Sequence, residues 1–392
     1  MTRLPLLLLI LCANYTSLAF RLGIRSSRST LCVMLAGNGG STSINLDPFE
    51  EDEERAGQLP EDAFGAGGGP LPSVSSRVNF AKETLDLKYD LWVVGAGTLG
   101  QIAAEQYKKR HPGSCVVAET KSVMRHDSMR AAGLTPRLRE GRDEVDHKKA
   151  KSVIISLPPS STEIYLEELN HATRLWAGPA GGGKLVFTSS TVVYGDSFGN
   201  KVTETFRTDS RSIRSSRMIN AEQSILERDG IAVRLAGLYT ESRGPVPYWI
   251  KNGTVDGTAD GIVNMLHYAD AAGVCLSILE KGVSGAIYLA HDDDPMTRQE
   301  LCEAGLASGL FPGRSSPHFA QATAPQGKLC DGSWTRRQLG WAPTYPSFDR
   351  YMRCNIGGST KYIPRKGSIA AREEKKSALW IPGGDDDDLL EL

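Results

Sequence analysis

A short apolar run, Leu91-Trp92-Val93-Val94, enters Gly95-Ala96-Gly97-Thr98-Leu99-Gly100, and a helical pattern follows at once in Gln101-Ile102-Ala103-Ala104-Glu105-Gln106. Strand, G-x-G-x-x-G turn and helix in that order form the fingerprint of a site for a dinucleotide pyrophosphate. Each glycine has a physical reason. Gly95 permits the tight turn, Gly97 lets the backbone approach the phosphates without a Cβ in the way, and Gly100 lets helix and strand pack closely. The anion is then expected on the free N–H groups that open the helix, at Thr98 and Leu99, where the macrodipole favours negative charge. A tight βα turn that binds nothing has the same local pattern.

The next apolar run, Cys115-Val116-Val117-Ala118, ends in Glu119. An acidic residue about 20 positions past the glycines is where NAD-binding folds hold the ribose 2′-OH. A carboxylate there repels a 2′-phosphate and favours NAD over NADP, while Lys121 and Arg125 are close enough to offset the repulsion. The alternative is that Glu119 is a solvated strand end.

Both ends of the chain differ from its middle. Residues 1–46 contain no Asp or Glu. Arg3 precedes the apolar run Leu4 to Leu11, and Ser17-Leu18-Ala19 is a small-residue cleavage site, the pattern of a signal peptide. The run is shorter than the roughly 20 apolar residues of a membrane span. Phe20 to Thr30 is then rich in Arg and Ser, like an organelle transit peptide. This two-part leader, with Phe directly after Ala, resembles the plastid-targeting presequence of diatoms and related algae, which implies a plastid protein. Plain secretion is the other reading, and the sequon Asn252-Gly253-Thr254 would then be open to glycosylation. Residues 47–84 turn acidic and then Gly/Pro-rich and read as a disordered linker. Residues 357–392 are polar, with Asp385-Asp386-Asp387-Asp388 near the end, and read as a solvated acidic tail.

About 270 residues remain, Leu85 to Cys354, enough for one sizeable core or a core with a small lobe. The formal net charge of −1 gives no reason to expect a nucleic-acid partner. Five scattered cysteines without a C-x-x-C argue against a disulfide framework or a zinc site, so no metal is expected. Ser152 to Leu157, Leu185 to Thr188 and Ile231 to Ala236 read as strands; Ile164 to Leu175 and Ser215 to Leu226 read as helices. Alternation of this kind implies a doubly wound parallel sheet, a Rossmann-type α/β fold. Ligands in such sheets lie beyond the carboxyl ends of the strands, which places the chemistry near Gly95, Pro158, Ser189-Ser190 and Gly237.

Two of those strand ends carry further motifs. Phe187-Thr188-Ser189-Ser190-Thr191-Val192-Val193-Tyr194-Gly195 resembles the S-S-x-x-V-Y-G segment of extended short-chain dehydrogenase/reductases, the epimerase/dehydratase group. Arg234 to Tyr239 resembles that group's R-x-x-G-x-Y strand end, beside the nicotinamide. His267-Tyr268-Ala269-Asp270-Ala271 resembles its H-x-x-D-x-A element; Pro295 to Leu301 and Leu339-Gly340-Trp341 resemble its C-terminal lobe. The resemblance runs in order from Tyr89 to Ser347, and is to an atypical plastid-type branch. It implies a Rossmann domain over 85–239, a small α/β substrate lobe over 240–356, and NAD, with NADP as the alternative, held by Gly95, Gly97, Thr98, Leu99, Gly100, Glu119, Leu157, Pro158, Ser189 and Gly237.

The sequence departs from this group at the catalytic helix. Active members carry Y-x-x-x-K there, the Tyr as general acid/base and the Lys lowering its pKa and holding the ribose. No Tyr stands between Tyr194 and Tyr239, and Lys201 is the only Lys in that interval. Matching through Glu222-Gln223 puts Arg214 at the Tyr position and Met218 at the Lys position. Arginine stays protonated and cannot shuttle a proton at neutral pH, and methionine offers neither charge nor donor. The candidate catalytic residues are then Ser190, Tyr194 and Arg214. The resemblance makes Ser190 the substrate-orienting Ser, though a strand-end hydroxyl satisfying a backbone group has the same sequence. Tyr194 normally packs as structure. Arg214 suits an anionic substrate or a phosphate. Tyr239 and His267 are further acid/base candidates, though the His of this element is usually structural. Arg243 through Tyr248-Trp249-Ile250 either faces the substrate or packs the core. Three functions are compatible: an oxidoreductase or epimerase with a replaced acid/base group, a dinucleotide-binding regulator without catalysis, and a plastid assembly or scaffold factor.

Overall fold

The computed structural model describes residues 87–141, 149–320 and 326–359. Residues 1–86, with the leader and the linker, and the tail beyond residue 359 lie outside the described residues. A seven-stranded sheet organises the chain: β1 (Tyr89–Val94), β2 (Val116–Thr120), β3 (Thr135–Leu138), β4 (Ala150–Ile155), β5 (Leu185–Ser190), β6 (Ile231–Leu235) and β7 (Ile287–Ala290). Every pairing is parallel, and the spatial order is β7-β6-β5-β4-β1-β2-β3. The order reverses between β1 and β4, so a crevice opens beyond their carboxyl ends.

Parallel strands buried on both faces need apolar residues throughout, and β1 shows how the sequence meets that need. Leu91 and Val93 pack with α1 (Thr98–Arg110) and α6 (Tyr268–Lys281) on one face. Trp92 and Val94 pack with α3 (Tyr165–Thr173) and α4 (Ile213–Leu226) on the other. The short α2 (His126–Ala131) leads into β3. A third apolar cluster joins α5 (Pro245–Asn252), α7 (Arg298–Ala307), Phe348 and Met352. α7 begins with a reciprocal capping box, Thr297 and Glu300 each bonding the other's backbone N–H. α8 (Ser333–Leu339) lies under β7, where Thr335 Oγ1 accepts the Leu289 N–H at 2.9 Å. Among the described residues no helix is long and apolar enough to cross a membrane.

The turn after β7 is tied by a buried histidine. His291 Nε2 accepts the Gly332 N–H at 2.9 Å, so that nitrogen carries no proton, and Nδ1 donates to the Asp292 carbonyl. Burial, with the Arg336 guanidinium nearby, pushes the His291 pKa down to about 4. The unfolded chain, with a pKa near 6.5, then binds the proton that the folded chain refuses. This contribution is complete above about pH 6.5 and is lost as pH falls toward 4. Between pH 7 and pH 4.5 the parent is expected to lose about 2 kcal/mol more stability than His291→Gln. Urea melts at the two pH values check this, and equal losses in both proteins would exclude His291 as the cause.

Candidate active site

The turn after β1 shows what each glycine does. Gly95 has φ +80°, and a Cβ there would stand 2.6 Å from Leu157 Cδ2 and 2.8 Å from the Ser156 carbonyl oxygen. At Gly100 a Cβ would stand 2.6 Å from the Gly95 carbonyl oxygen, so this glycine lets helix meet strand. Gly97 is different. It has φ −68°, and a Cβ would find only the Gly95 oxygen at 3.8 Å. Neither its conformation nor its protein neighbours require glycine. Gly97 caps α1 without a side-chain bond, no acidic residue lies in the first turn, and Gly97, Thr98 and Leu99 line a cavity of about 930 Å³. Arg125 lies against the turn, donating to the Ala96 carbonyl oxygen and to Gln101 Oε1, each at 3.0 Å.

The same cavity is lined by Leu157 and Pro158 after β4, by Ser189, Ser190 and Thr191 at the end of β5, and by Gly237 after β6. Tyr165 fixes the end of β4 by donating to the Leu157 carbonyl oxygen at 2.8 Å. Ser190 Oγ accepts the Val192 N–H at 3.2 Å, and among the described residues its hydroxyl meets no acceptor. Ser189 turns its hydroxyl inward, donating to Glu222 Oε1 at 2.5 Å. Ser212 caps α4 through the Ser215 N–H, and the helix then sets Arg214 and Met218 four residues apart on its cavity face. The positions matched to the usual Tyr and Lys thus line the cavity, occupied by a guanidinium and a thioether.

Several sequence candidates stand elsewhere. Tyr194 does not line the cavity. It is buried, donates to the Thr203 carbonyl oxygen at 2.9 Å and lies under the Arg234 guanidinium. Burial pushes its pKa up to about 12. Glu119 is fully buried rather than a solvated strand end. It accepts from the Trp92 indole at 3.3 Å, lies 3.6 Å from Arg139 Nε, and is absent from the cavity wall. Tyr239 and His267 also stand away from the cavity, edge to face with each other at 5.2 Å and packed against Tyr351. His267 Nδ1 caps α6 by accepting the Ala269 N–H, and burial lowers its pKa. Of the stretch from Arg243 to Ile250, Arg243 lines the cavity, while Val246 and Ile250 belong to the third apolar cluster.

Residues from beyond β6 complete the site: Arg298 falls in the lobe stretch Pro295 to Leu301, whereas no motif singled out Lys328. Lys328 reaches the cavity and donates to the Thr191 carbonyl oxygen at 2.9 Å. Arg298, at the start of α7, lines it too and donates to the Thr258 carbonyl oxygen at 3.2 Å. Four cationic side chains therefore line the cavity: Arg214, Arg243, Arg298 and Lys328. Asp196 is the only acid among the lining residues, and its two oxygens accept the Gly327, Phe198 and Gln326 N–H groups. Such a wall favours anions.

No family model matches the chain. Protein YeeZ of Escherichia coli K12 is 30% identical over 169 residues, 42% of this chain and 59% of YeeZ, so the chain spans about three-fifths of that relative's length. Among solved structures, a functionally unknown conserved protein from Silicibacter pomeroyi superposes with a TM-score of 0.57 at 21% identity, covering 69% of this chain and 99% of that one. The dTDP-glucose 4,6-dehydratase of Bacillus anthracis, in complex with NAD, superposes with a TM-score of 0.55 at 14% identity, covering 67% and 95%. The chain has a Rossmann-type α/β fold, the fold it shares with these solved structures.

Proposed function

We propose that this chain binds NAD or NADP and acts as an oxidoreductase or epimerase on a small molecule, without the Tyr-x-x-x-Lys pair. The observation that carries the dinucleotide is Gly97, a glycine on the cavity wall that the polypeptide itself does not need. A pyrophosphate resting on the helix start needs it, because a Cβ would occupy the approach. Gly97, Thr98 and Leu99 would hold the pyrophosphate; Leu157, Pro158 and Gly237 would border the nicotinamide half. The bound group supplies hydride transfer. The chain supplies orientation through Ser190 and positive charge through the cationic wall.

A second reading is favoured by Arg214 and Met218. With a guanidinium and a thioether at the acid/base positions, the cavity also suits a dinucleotide-binding regulator that performs no turnover. Calorimetric titration of NAD, NADH, NADP and NADPH into the purified chain tests the shared part of both readings. Saturable binding of at least one of the four is expected, and comparing the two pairs shows whether the site admits a 2′-phosphate. Failure of all four to bind removes both readings. Hydride exchange between the bound nucleotide and a carbonyl compound would then separate enzyme from regulator.

A further inference from the structure

Lys328 is held with more care than a surface lysine needs. Its carbonyl oxygen accepts from Asn264 Nδ2 at 2.8 Å, and two residues on, the Cys330 N–H donates to Asn264 Oδ1 at 2.9 Å. Before it, Asp196 receives the Gln326 and Gly327 N–H groups. After it, Leu329-Cys330 pairs in parallel with Lys201-Val202. The backbone is thus pinned on both sides while the side chain runs into the cavity. Among the described residues its ammonium makes one bond, to the Thr191 carbonyl oxygen, one residue beyond Ser190. A lysine ammonium has three donors. Lys328 forms no ion pair among the described residues. Asp196, the nearest acid on the wall, is already engaged by backbone amides.

The charges around Lys328 define what it can meet. Arg298 lines the same cavity from α7, Arg214 from α4 and Arg243 from the loop before α5. Cys330, on its own segment, has its thiol pushed up to about 12 by burial and is neutral at pH 7. Burial also lowers the Lys328 pKa, so a larger share of the amine is unprotonated than in a solvated lysine. A ligand with one anionic group and one carbonyl oxygen satisfies both the arginines and the lysine. Guanidinium forks match carboxylates and phosphates.

We propose that the lobe end of this cavity takes a small carbonyl compound bearing a carboxylate or a phosphate, with Lys328 and Ser190 at its carbonyl oxygen and Arg298 with Arg214 at its acidic group. The inference rests on the dinucleotide reading for its chemistry but not for its test. Lys328 comes from the far end of the chain, and it brings an ammonium to a cavity where Met218 supplies none.

Pyridoxal 5′-phosphate, an aldehyde with a phosphate, probes this geometry directly. The purified chain is mixed with it near pH 7.5, the imine is trapped with borohydride, and labelled lysines are identified by peptide mass spectrometry. Lys328 is expected to carry the dominant label, at least about 10-fold faster than with pyridoxal, which lacks the phosphate. Arg298→Met is expected to remove most of that advantage, and Lys328→Met to remove the dominant label while exposed Lys251 labels as before. Protection by malonate against protection by inorganic phosphate separates carboxylate from phosphate. Labelling spread evenly over surface lysines, indifference to the phosphate, or protection by neither anion overturns the inference. Nucleotide titration of the same sample keeps the two proposals apart. A chain that binds NADH but spares Lys328 retains the dinucleotide reading and loses this one; the opposite result does the reverse.

Discussion

Gly97→Val is expected to fold as the parent does and to lose nucleotide affinity by at least about 100-fold, a cost of about 2.7 kcal/mol or more. The two halves of that expectation have separate causes. In the folded chain the new Cβ meets ordinary space, since at this position it lies 3.8 Å from the Gly95 oxygen, its one neighbour within 4 Å among the described residues, and φ is −68°. The cost to folding is confined to the poorer helix cap, at most about 1 kcal/mol. In the complex, the isopropyl group stands between the pyrophosphate and the N–H groups of Thr98 and Leu99. Gly100→Val is the informative partner. Its Cβ would be 2.6 Å from the Gly95 carbonyl oxygen and 3.0 Å from Val93 Cγ1, so stability should fall by about 1–3 kcal/mol, the usual range for overpacking. Thermal melts and calorimetry of the two variants check the pair. Unchanged affinity in a stable Gly97→Val would leave the glycine without a ligand and remove the observation on which the proposed function rests.

The first βαβ unit was legible because its signals are local. An apolar run, three glycines and a helix lie within sixteen residues, Leu91 to Gln106, and Gly100 does its work against Gly95 and Val93 inside that span. β3 was not legible. Thr-Pro-Arg-Leu is polar and contains a proline, which a strand tolerates only at an edge, and β3 is the edge. β7 was missed because four residues after a glycine turn show no periodicity to read. The site divides along the same line. Ser190, Leu157, Pro158 and Gly237 follow from the rule that ligands sit beyond strand ends. Lys328 does not, since the carbonyl it reaches belongs to Thr191, 137 positions away. Glu119 shows the converse. Its place at the end of β2 was readable, but Trp92 and Arg139, which take its carboxylate, come from other elements.

Glu222→Gln is expected to destabilise the fold by about 3–5 kcal/mol, the cost of leaving a buried charge without its partner. Arg234 Nε and Nη2 donate to the two Glu222 oxygens at 2.9 and 2.7 Å, and both side chains are about 4% exposed. Burial opposes the Arg234 charge and the carboxylate outweighs it, so the guanidinium holds its proton more tightly than in water. Ser189 also donates to Glu222, Arg234 Nη1 donates to the Glu204 carbonyl oxygen, and the guanidinium covers the Tyr194 ring. Ser189, Tyr194 and Arg234, three of the residues that make the sequence resemble the epimerase/dehydratase group, are thus joined in one network behind the cavity wall. Replacing both charged partners, Glu222→Leu with Arg234→Met, should restore much of the loss, because neither charge then remains buried alone. Urea unfolding measures this as a shift in midpoint at constant slope, and a loss below about 1 kcal/mol for Glu222→Gln would mean that water reaches the pair. The network also governs the site. Met218 lies one turn before Glu222 on α4, and Arg214 one turn before that, so the salt bridge to β6 sets how the helix presents both to the cavity. A double variant that regains stability yet binds nucleotide more weakly would separate holding the fold from aiming that helix face.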